Sequence, residues 1–414
     1  MYIVYQLGVY SYYLFVLFAS LFNKKAKQWI QGRVEQKPNF NTPLPQTPRI
    51  WYHFASLGEF EQGRNVLEQI KKEYPNYSIV VTFFSPSGFE VRKNYALAEQ
   101  VYYLPLDTPS NAKLVLDHIQ PSLIFFTKYE YWFNYFKEAK KRSIPLFIIS
   151  SIFRKEQLFF KAYGSFQRKI LSLVTHFFVQ NQESIDLLRS IQITNCSIAG
   201  DTRFDRVYEH SLNPVQDNCI AEFCKSSSVF VAGSSWPKDE ELIKELLSVF
   251  PLMKFIFVPH EVNQQNINSL KAMFGNEADL YTKHKASVFP SNKRVMIVDT
   301  VGLLNSIYQY ATYCYVGGGF GVGIHNTLEA AAYGKPVFFG PNYQKFSEAK
   351  SLIQINASKS ISSSSELIEQ IKLLESNNAT YLEKCTAAKN FVLSEKGATE
   401  KIITQLKKEN YLLS

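Results

Sequence analysis

The chain has 414 residues, of which 46% are hydrophobic, and a formal net charge of +9. This length exceeds one typical core and this composition excludes a disordered chain, so we predict two globular domains. The charge favours anionic partners such as nucleotide phosphates, an acidic glycolipid or an anionic membrane surface. The basic residues are spread along the chain without an RNA-binding signature, which argues against nucleic acid. The five cysteines form no CxxC pair, as is typical of a reduced cytoplasmic compartment without structural zinc.

The first segment, Met1–Phe22, carries no charged side chain. It is just long enough to cross a bilayer as a helix, so we predict a membrane anchor there. Four basic residues follow it: Lys24, Lys25, Lys27 and Arg33. Basic residues beside a span stay in the cytoplasm, which places the following domains on that side. Several residues of the segment are tyrosines, which prefer the interface, so a helix that lies in the interface or packs on the protein is the alternative.

A proline-rich stretch, Gln36–Pro48, is predicted to be a linker, and strands then alternate with helices. The predicted strands of this first series are Ile50–Phe54, Ser78–Phe84, Val101–Leu104, Leu123–Phe126, Leu146–Ser150, His176–Gln180 and Cys196–Ala199. The predicted helices are Phe60–Glu73, Ser87–Ala98, Asn111–Ile119, Tyr131–Arg142, Phe159–Leu173 and Gln182–Ser190. This alternation predicts a parallel sheet covered on both faces.

A second series follows a predicted hinge over Pro214–Lys225. Its predicted strands are Val229–Ala232, Lys254–Val258, Arg294–Val298, Tyr313–Val316 and Val337–Phe339. Its predicted helices are Asp239–Val249, Gln264–Met273, Gly302–Tyr310, Ala330–Tyr333, Tyr381–Ser394 and Ala398–Leu413, with a loop at Ser360–Ser365. We therefore predict an α/β fold with an anchor over 1–22, Rossmann-like domains over 36–212 and 226–390, and a closing helical segment over 391–414. Ligands of such folds bind at the carboxyl ends of the strands, here in a cleft between the domains.

A glycine-rich segment, Val316–Pro341, connects a strand to a helix and then to another strand. Backbone N–H groups at the start of such a helix form an anion site, which glycines allow a phosphate to approach. Asn326 and Glu329 are three residues apart and share one face of the first turn, where a carboxylate suits a ribose or a base. The alternative is a tight turn that needs glycine, since neither GxGxxG nor a P-loop is present.

Ser56-Leu57-Gly58-Glu59 follows the first strand, so Glu59 lies at the carboxyl end of the sheet. A carboxylate there can act as a general base. It can equally complement the dipole of the helix that begins beside it.

Other polar loops follow strands of the second series at the same kind of edge: Ser234-Ser235, Pro259-His260 and Asp299–Gly302. Together with the glycine segment they predict a nucleotide pocket in the second domain. His260 can bind a phosphate, stack on a base or serve only the structure. HExxH is absent and the remaining histidines are scattered, so we predict a metal-independent mechanism.

Taken together, these motifs resemble the 3-deoxy-D-manno-octulosonic acid (Kdo) transferases of lipopolysaccharide synthesis. The residues that carry the resemblance are Trp51–Glu59, Thr82–Gly88, Gly200–Val207, Gly233–Ile243, Phe257–Glu261, Val298–Gly302, His325–Pro341 and Phe346. They span nearly the whole chain, and the combination of Ser-x-Gly-Glu with His-Asn-x-Leu-Glu is specific.

The resemblance implies a GT-B glycosyltransferase anchored in the inner membrane. It would move Kdo, with inversion, from CMP-Kdo to the acylated, phosphorylated glucosamine disaccharide that precedes lipid A, using no cofactor. Glu59 matches the catalytic base of the family. The CMP contacts match Pro259, His260, Val301, Gly302, Leu303, Asn326, Thr327, Leu328 and Glu329. Candidate phosphate or sugar contacts are Ser56, Gly58, Ser234, Ser235 and His325, and a candidate acceptor contact is Glu130.

Two departures from the family pattern concern arginines. Pro259-His260-Glu261 stands where relatives have Pro-Arg-His, and the arginine before Gly-Gly-His-Asn is missing. We therefore expect phosphate binding to depend on backbone donors and on His325 or His260. The alternative functions are a nucleotide-sugar 2-epimerase or another GT-B sugar-nucleotide enzyme, which shares the fold, and an inactive membrane-tethered scaffold.

Overall fold

The computed structural model describes residues 1–36, 40, 42–321 and 323–412. Part of the predicted linker, Val322 of the glycine segment and the last two residues lie outside this range. The chain divides into two units, Met1–Arg206 with Gly397–Ser414, and Val207–Lys396.

Both units are built from parallel strands. The strands are β1 (Arg49–Phe54), β2 (Ser78–Phe83), β3 (Gln100–Tyr103), β4 (Leu123–Thr127), β5 (Leu146–Ser151), β6 (His176–Val179), β7 (Cys196–Ile198), β8 (Val229–Ser235), β9 (Lys254–Pro259), β10 (Ala278–Leu280), β11 (Val295–Ile297), β12 (Tyr313–Val316), β13 (Val337–Phe339) and β14 (Ser358–Ser360).

Helices precede, connect and follow these strands. They are α1 (Tyr2–Ala19), α2 (Lys24–Gln36), α3 (Leu57–Glu73), α4 (Pro86–Arg92), α5 (Pro109–Ile119), α6 (Phe133–Lys141), α7 (Ser165–Leu171), α8 (Gln182–Ser190), α9 (Thr202–Leu212), α10 (Asn218–Cys224), α11 (Pro237–Lys244), α12 (Leu246–Val249), α13 (Gln264–Phe274), α14 (Tyr281–His284), α15 (Leu304–Ile307), α16 (Leu328–Ala332), α17 (Ser347–Gln354), α18 (Ser364–Ser376), α19 (Asn378–Glu395) and α20 (Ala398–Lys408). Short 3₁₀ turns lie at Leu158–Phe160, Gly275–Glu277 and Tyr308–Tyr310.

The sheet of the first unit has the order β3-β2-β1-β4-β5-β6-β7, with every pair parallel. Side chains of β1 alternate between two buried clusters, with Trp51 on one face and Ile50, Tyr52 and Phe54 on the other. Because helices cover both faces, the strand is buried throughout and mostly apolar, with Arg49 and His53 as its polar residues. The predicted parallel sheet is therefore confirmed.

The first unit is completed by α20, which comes from the end of the chain. Ile402, Ile403 and Leu406 are buried in the same cluster as the Ile50 face of β1. The carboxylate of Asp205 accepts hydrogen bonds from the start of this segment, at 2.7 Å from the backbone N–H of Thr399. This final helix therefore belongs to the first core.

The apolar helix α1 is long and apolar enough to cross a membrane, and among the described residues it is the one that meets this test. One side of it packs on the first unit. The Tyr5 hydroxyl donates to Oδ2 of Asp107 at 2.5 Å and accepts from the backbone N–H of Phe133 at 3.3 Å. Most of its other side chains, including Leu7, Leu14 and Phe15, are exposed. The helix thus has a docked face and an open apolar face.

The sheet of the second unit has the order β10-β11-β9-β8-β12-β13-β14 and is also parallel. Its two edge strands, β10 and β14, have three residues each and were not predicted. Residues 361–363 of the predicted loop Ser360–Ser365 do form a loop, while its ends belong to β14 and α18; Ser363 caps that helix by accepting from the backbone N–H of Glu366.

Two other predictions are corrected by local packing. The predicted hinge over Pro214–Lys225 contains α10, whose buried Ile220 and Phe223 belong to the second core. The helix predicted over Phe159–Leu173 is reduced to α7. It begins only after Gly164, where a Cβ would lie 1.9 Å from the carbonyl oxygen of Leu158.

Candidate active site

Glu59 is held in place at the start of α3 by a serine from the preceding loop. The Ser56 Oγ accepts from the backbone N–H of Gly58 at 3.2 Å and donates to Oε2 of the half-buried Glu59. The other carboxylate oxygen, Oε1, accepts no hydrogen bond from the described residues. Glu59 therefore has a fixed orientation and one free oxygen at the carboxyl end of β1, which is the geometry that a general base needs.

Basic and acidic side chains surround Tyr129, which follows the neighbouring strand β4. Burial raises the pKa of Tyr129, the positive charges of Arg154 and Arg203 lower it, and the carboxylates of Glu59 and Asp201 raise it. Arg203 also donates to Oδ2 of Asp201 at 2.7 Å. Tyr129 thus lies within electrostatic range of Glu59 and of two arginines to which sequence analysis assigned no role.

The predicted acceptor residue Glu130 is engaged in a buried chain of hydrogen bonds. Its Oε2 accepts from Nε1 of Trp132 at 2.8 Å and lies 3.3 Å from Nε2 of His53. On the other side of the ring, His53 Nδ1 is 2.8 Å from Oγ1 of Thr82, which also accepts from the Trp51 indole. A neutral His53 with its proton on Nε2 gives each side chain in this chain of hydrogen bonds a partner. Burial lowers the pKa of His53, which favours this neutral form.

A buried aspartate organises the glycine segment of the second unit. Asp239 on α11 is fully buried, and its Oδ2 accepts from the backbone N–H groups of Gly318 at 2.9 Å and Trp236 at 3.0 Å. Its Oδ1 accepts from the Tyr315 hydroxyl at 2.9 Å. Burial raises the pKa of Asp239, although these donors oppose the increase. One side chain thus fixes both the end of β12 and the start of α11.

The glycines of this segment are required by close packing. A Cβ on Gly317 would lie 2.3 Å from the carbonyl oxygen of Ser234, and one on Gly319 would lie 2.6 Å from the backbone of Gly340. Gly318 has a φ of +93°, which favours glycine. The sequence allowed either an anion site or a tight turn that needs glycine. The packing of the turn explains these three glycines without a bound ligand.

Three aromatic rings from three different loops meet beside this turn: Trp236 after β8, His260 after β9 and His325 before α16. We call them the ring cluster. Trp236 and His325 are parallel within 3°, and the Trp236 Nε1–H donates to His325 Nε2 at 3.0 Å. His260 stacks on both, with ring centroids 4.1 Å from His325 and 4.9 Å from Trp236. The structure therefore brings together two predicted site residues and one that sequence analysis did not assign.

Asn326 and Glu329 also meet, although Asn326 precedes α16 and does not lie in its first turn as predicted. Nδ2 of Asn326 donates to Oε1 of Glu329 at 3.1 Å, and Oδ1 of Asn326 accepts from the backbone N–H of Leu328 at 3.2 Å. The adjacent Thr327 is fully buried, and its hydroxyl has no hydrogen-bond partner among the described residues. A half-buried carboxylate is thus held beside the start of α16.

The remaining predicted contacts differ in accessibility. His260 and Val301 are exposed, while Pro259 is buried. Gly302 has a φ of +93° in an exposed turn. Ser235 is buried and donates to Glu240 at 2.7 Å, so its hydroxyl is already engaged. The other predicted contacts, Ser234 and Leu303, are half-buried.

A cavity of about 310 Å³ opens next to the ring cluster. It is lined by Trp236, Pro237, Lys238, Asp239, Gly318, Phe320 and Gly321. Among the described residues, no group of three or more His, Cys, Asp or Glu side chains is placed to hold a metal ion.

The two units, each built on a seven-stranded parallel sheet, define the class of the protein. The fold is similar to UDP-GlcNAc 2-epimerase from Neisseria meningitidis bound to UDP-GlcNAc, with a TM-score of 0.63, 16% identity, and 87% of this chain and 100% of that chain covered. It is also similar to MurG from Acinetobacter baumannii, with a TM-score of 0.55, 13% identity, and 87% and 99% covered. The predicted GT-B architecture is confirmed.

The sequence comparisons define the family within this class. Residues 28–206 match the family model of 3-deoxy-D-manno-octulosonic-acid transferase (kdotransferase). The chain is 24% identical to the 3-deoxy-D-manno-octulosonic acid transferase of Haemophilus influenzae over 95% of both chains. It is 27% identical to that of Chlamydophila psittaci over 85% of both. These similarities extend over most of the chain and confirm the predicted resemblance to the Kdo transferases and the predicted glycosyltransferase activity.

Proposed function

We propose that the protein transfers Kdo from CMP-Kdo to the acylated, phosphorylated glucosamine disaccharide that precedes lipid A. The observation that carries this proposal is the family match, which extends over nearly the full length of the chain. The same match argues against a nucleotide-sugar 2-epimerase, because the similarity between such epimerases and this chain lies in the fold.

Glu59 acts as the general base in this proposal. Its free Oε1 takes the proton from a primary hydroxyl of the acceptor. The hydroxyl oxygen forms a bond to the anomeric carbon of Kdo while the bond from that carbon to the phosphate oxygen of CMP breaks, and the electron pair leaves with CMP. One displacement inverts the anomeric centre. The hydrogen bond from Ser56 keeps the carboxylate oriented throughout.

Residues of the second unit bind the CMP part of the donor. The proposed contacts are Pro259, His260, Val301, Gly302, Leu303, Asn326, Thr327, Leu328 and Glu329. The Glu329 carboxylate, held by Asn326, suits the hydroxyl groups of a ribose. The exposed His260 offers a ring face for stacking. Backbone N–H groups and neutral side-chain donors stabilise the departing phosphate, so we propose that the reaction needs no metal ion.

The acceptor is a phosphorylated lipid, and the first unit has features suited to it. Arg154, whose positive charge acts on Tyr129 as the Glu59 carboxylate does, is suited to a phosphate group, and Arg203 in the same surroundings is paired with Asp201. The open apolar face of α1 and the exposed lysines at the start of α2 are suited to an anionic membrane surface. We propose that the protein attaches there to the inner membrane, with its catalytic units on the cytoplasmic side.

The test is an assay of the purified full chain with CMP-Kdo and the lipid A precursor, followed by mass spectrometry of the lipid. We expect CMP release and a lipid that carries Kdo. Glu59→Gln should lower kcat by about 10²–10⁴-fold because it removes the base. Turnover of UDP-sugars alone would contradict the assigned substrate.

The matched control is Glu183→Gln. Glu183 lies in the first turn of α8 in the same unit and is exposed. It complements a helix dipole as Glu59 does but lies outside the proposed site. If the two variants retained equal activity, Glu59 would serve only the helix. If both variants lost activity equally, the loss in Glu59→Gln would not show that Glu59 is the base.

A further inference from the structure

The hydrogen bond within the ring cluster fixes the position of a proton. An indole Nε1–H can only donate, so Nε2 of His325 must accept and therefore carries no proton. A charged His325 has a proton on both ring nitrogens, so its Nε2–H would face the indole N–H and the two donors would repel each other. The imidazole is consequently neutral, with its proton on Nδ1.

The other ring nitrogen of His325 is available to a ligand. Nδ1 has no hydrogen-bond partner among the described residues, and the His325 side chain is half-buried. The backbone of His325 is fixed through its N–H, which donates to the carbonyl of Gly317 at 3.1 Å. The ring is therefore held by its main chain, by Trp236 and by the stacked His260.

We propose that Trp236 is a positioning residue that holds His325 as the neutral Nδ1–H tautomer, so that this N–H donates to a phosphate oxygen of the bound nucleotide. The inference rests on the proposed function, because it takes the nucleotide of the donor as the ligand.

The surroundings of the ring support a neutral histidine. Burial and then the nearby His260 lower the pKa of His325 to about 4. The other charged groups near the cluster are Asp239, which binds the backbone N–H groups of Trp236 and Gly318, and Lys238, which lines the same cavity. The carboxylate of Asp239 is already occupied by its three donors and does not hydrogen-bond to the ring.

The tautomer can be measured directly. The full chain is labelled with ¹⁵N-histidine, and long-range proton–nitrogen correlation spectra at pH 7 distinguish protonated from unprotonated ring nitrogens. His325→Gln assigns the signal. We expect wild-type His325 to show an unprotonated Nε2 and a protonated Nδ1. A proton on Nε2 of the wild-type ring would overturn the proposal, whether or not any variant folds.

The functional consequence is tested with Trp236→Phe, which removes the N–H donor and keeps an aromatic ring. We expect a mixture of tautomers and a rise of about three- to tenfold in the Kd for CMP, with unchanged affinity for cytidine, which lacks the phosphate. The control is Phe320→Leu, which alters the same cavity without a hydrogen bond and should leave the tautomer intact. Unchanged CMP affinity in a folded Trp236→Phe protein would refute the role of Trp236.

These results are separable from failure of the proposed function. The tautomer is measured on the protein without substrate. If wild-type protein bound CMP but did not transfer Kdo, the proposed reaction would be wrong while the proposed role of Trp236 could still be measured by CMP affinity.

Discussion

Replacement of Asp239 is the sharpest test of how the glycine segment is held. Asp239→Ala removes the acceptor of three buried donors, the backbone N–H groups of Trp236 and Gly318 and the hydroxyl of Tyr315. Each orphaned donor costs about 1–2 kcal/mol, so the free energy of unfolding of the second unit should fall by about 3–6 kcal/mol.

Asp239→Asn should cost much less, about 1–2 kcal/mol, because the amide can satisfy the same partners. Its oxygen can accept from both backbone N–H groups, while its NH₂ donates to the Tyr315 oxygen. The losses are then the charge on the acceptor and the acceptor of the Tyr315 hydroxyl proton. Tyr315→Phe should cost about 1 kcal/mol, since it removes one donor and leaves two in place.

The assay is urea unfolding followed by hydrogen exchange and mass spectrometry, which reports on peptides of the two units separately. Protection should be lost at lower urea concentration in peptides from β8 and β12, and should not change in peptides from β1. Equal stability of Asp239→Ala and the wild type would refute the reasoning. Equal losses in the alanine and asparagine variants would show that the charge, rather than the acceptor geometry, holds the segment.

Three further predictions concern single residues. Tyr5→Phe should speed hydrogen exchange in α1 peptides and lower stability by about 1 kcal/mol, because the hydroxyl that binds Asp107 is lost; unchanged exchange would contradict this contact. Gly319→Ala should weaken CMP binding and destabilise the second unit by more than about 1 kcal/mol, since the new Cβ would meet backbone atoms; a calorimetric titration and a urea curve check both. The His325 ring should titrate near a pKa of about 4, below the ordinary value of about 6.5. The folded state then binds fewer protons, so stability should fall as pH drops from about 6.5 to about 4, and His325→Gln should remove this component.

The sequence was informative where the signal is local. The apolar run of β1 and the small residues around Ser56 and Glu59 predicted a strand, a turn and a helix start, because neighbouring residues determine these features. The edge strands β10 and β14 were missed because three residues that include Asp279 or Lys359 give no distinct apolar pattern.

Long-range pairs explain why part of the candidate site was not predicted. Trp236 and His325 are 89 positions apart, and Asp239 and Gly318 are 79 apart. No periodicity within either segment indicates such a partner. Trp236 lies in a motif that supported the resemblance. Its indole directly precedes a helix start, and two other loops of the same unit carry histidines; this combination is the signal that could have singled it out.

The placement of α20 has a consequence for synthesis of the protein. Its Ile402, Ile403 and Leu406 cover the face of the sheet formed by Ile50, Tyr52 and Phe54, yet they follow the whole second unit in the chain. A ribosome that adds about 5–20 residues per second needs roughly 10–40 s to make the roughly 190 intervening residues. During that time the first unit lacks the side chains that complete this part of its core, whereas the second unit, whose sequence is continuous, needs no later segment. Until α20 has been made, the nascent first unit thus offers chaperones an apolar surface to bind.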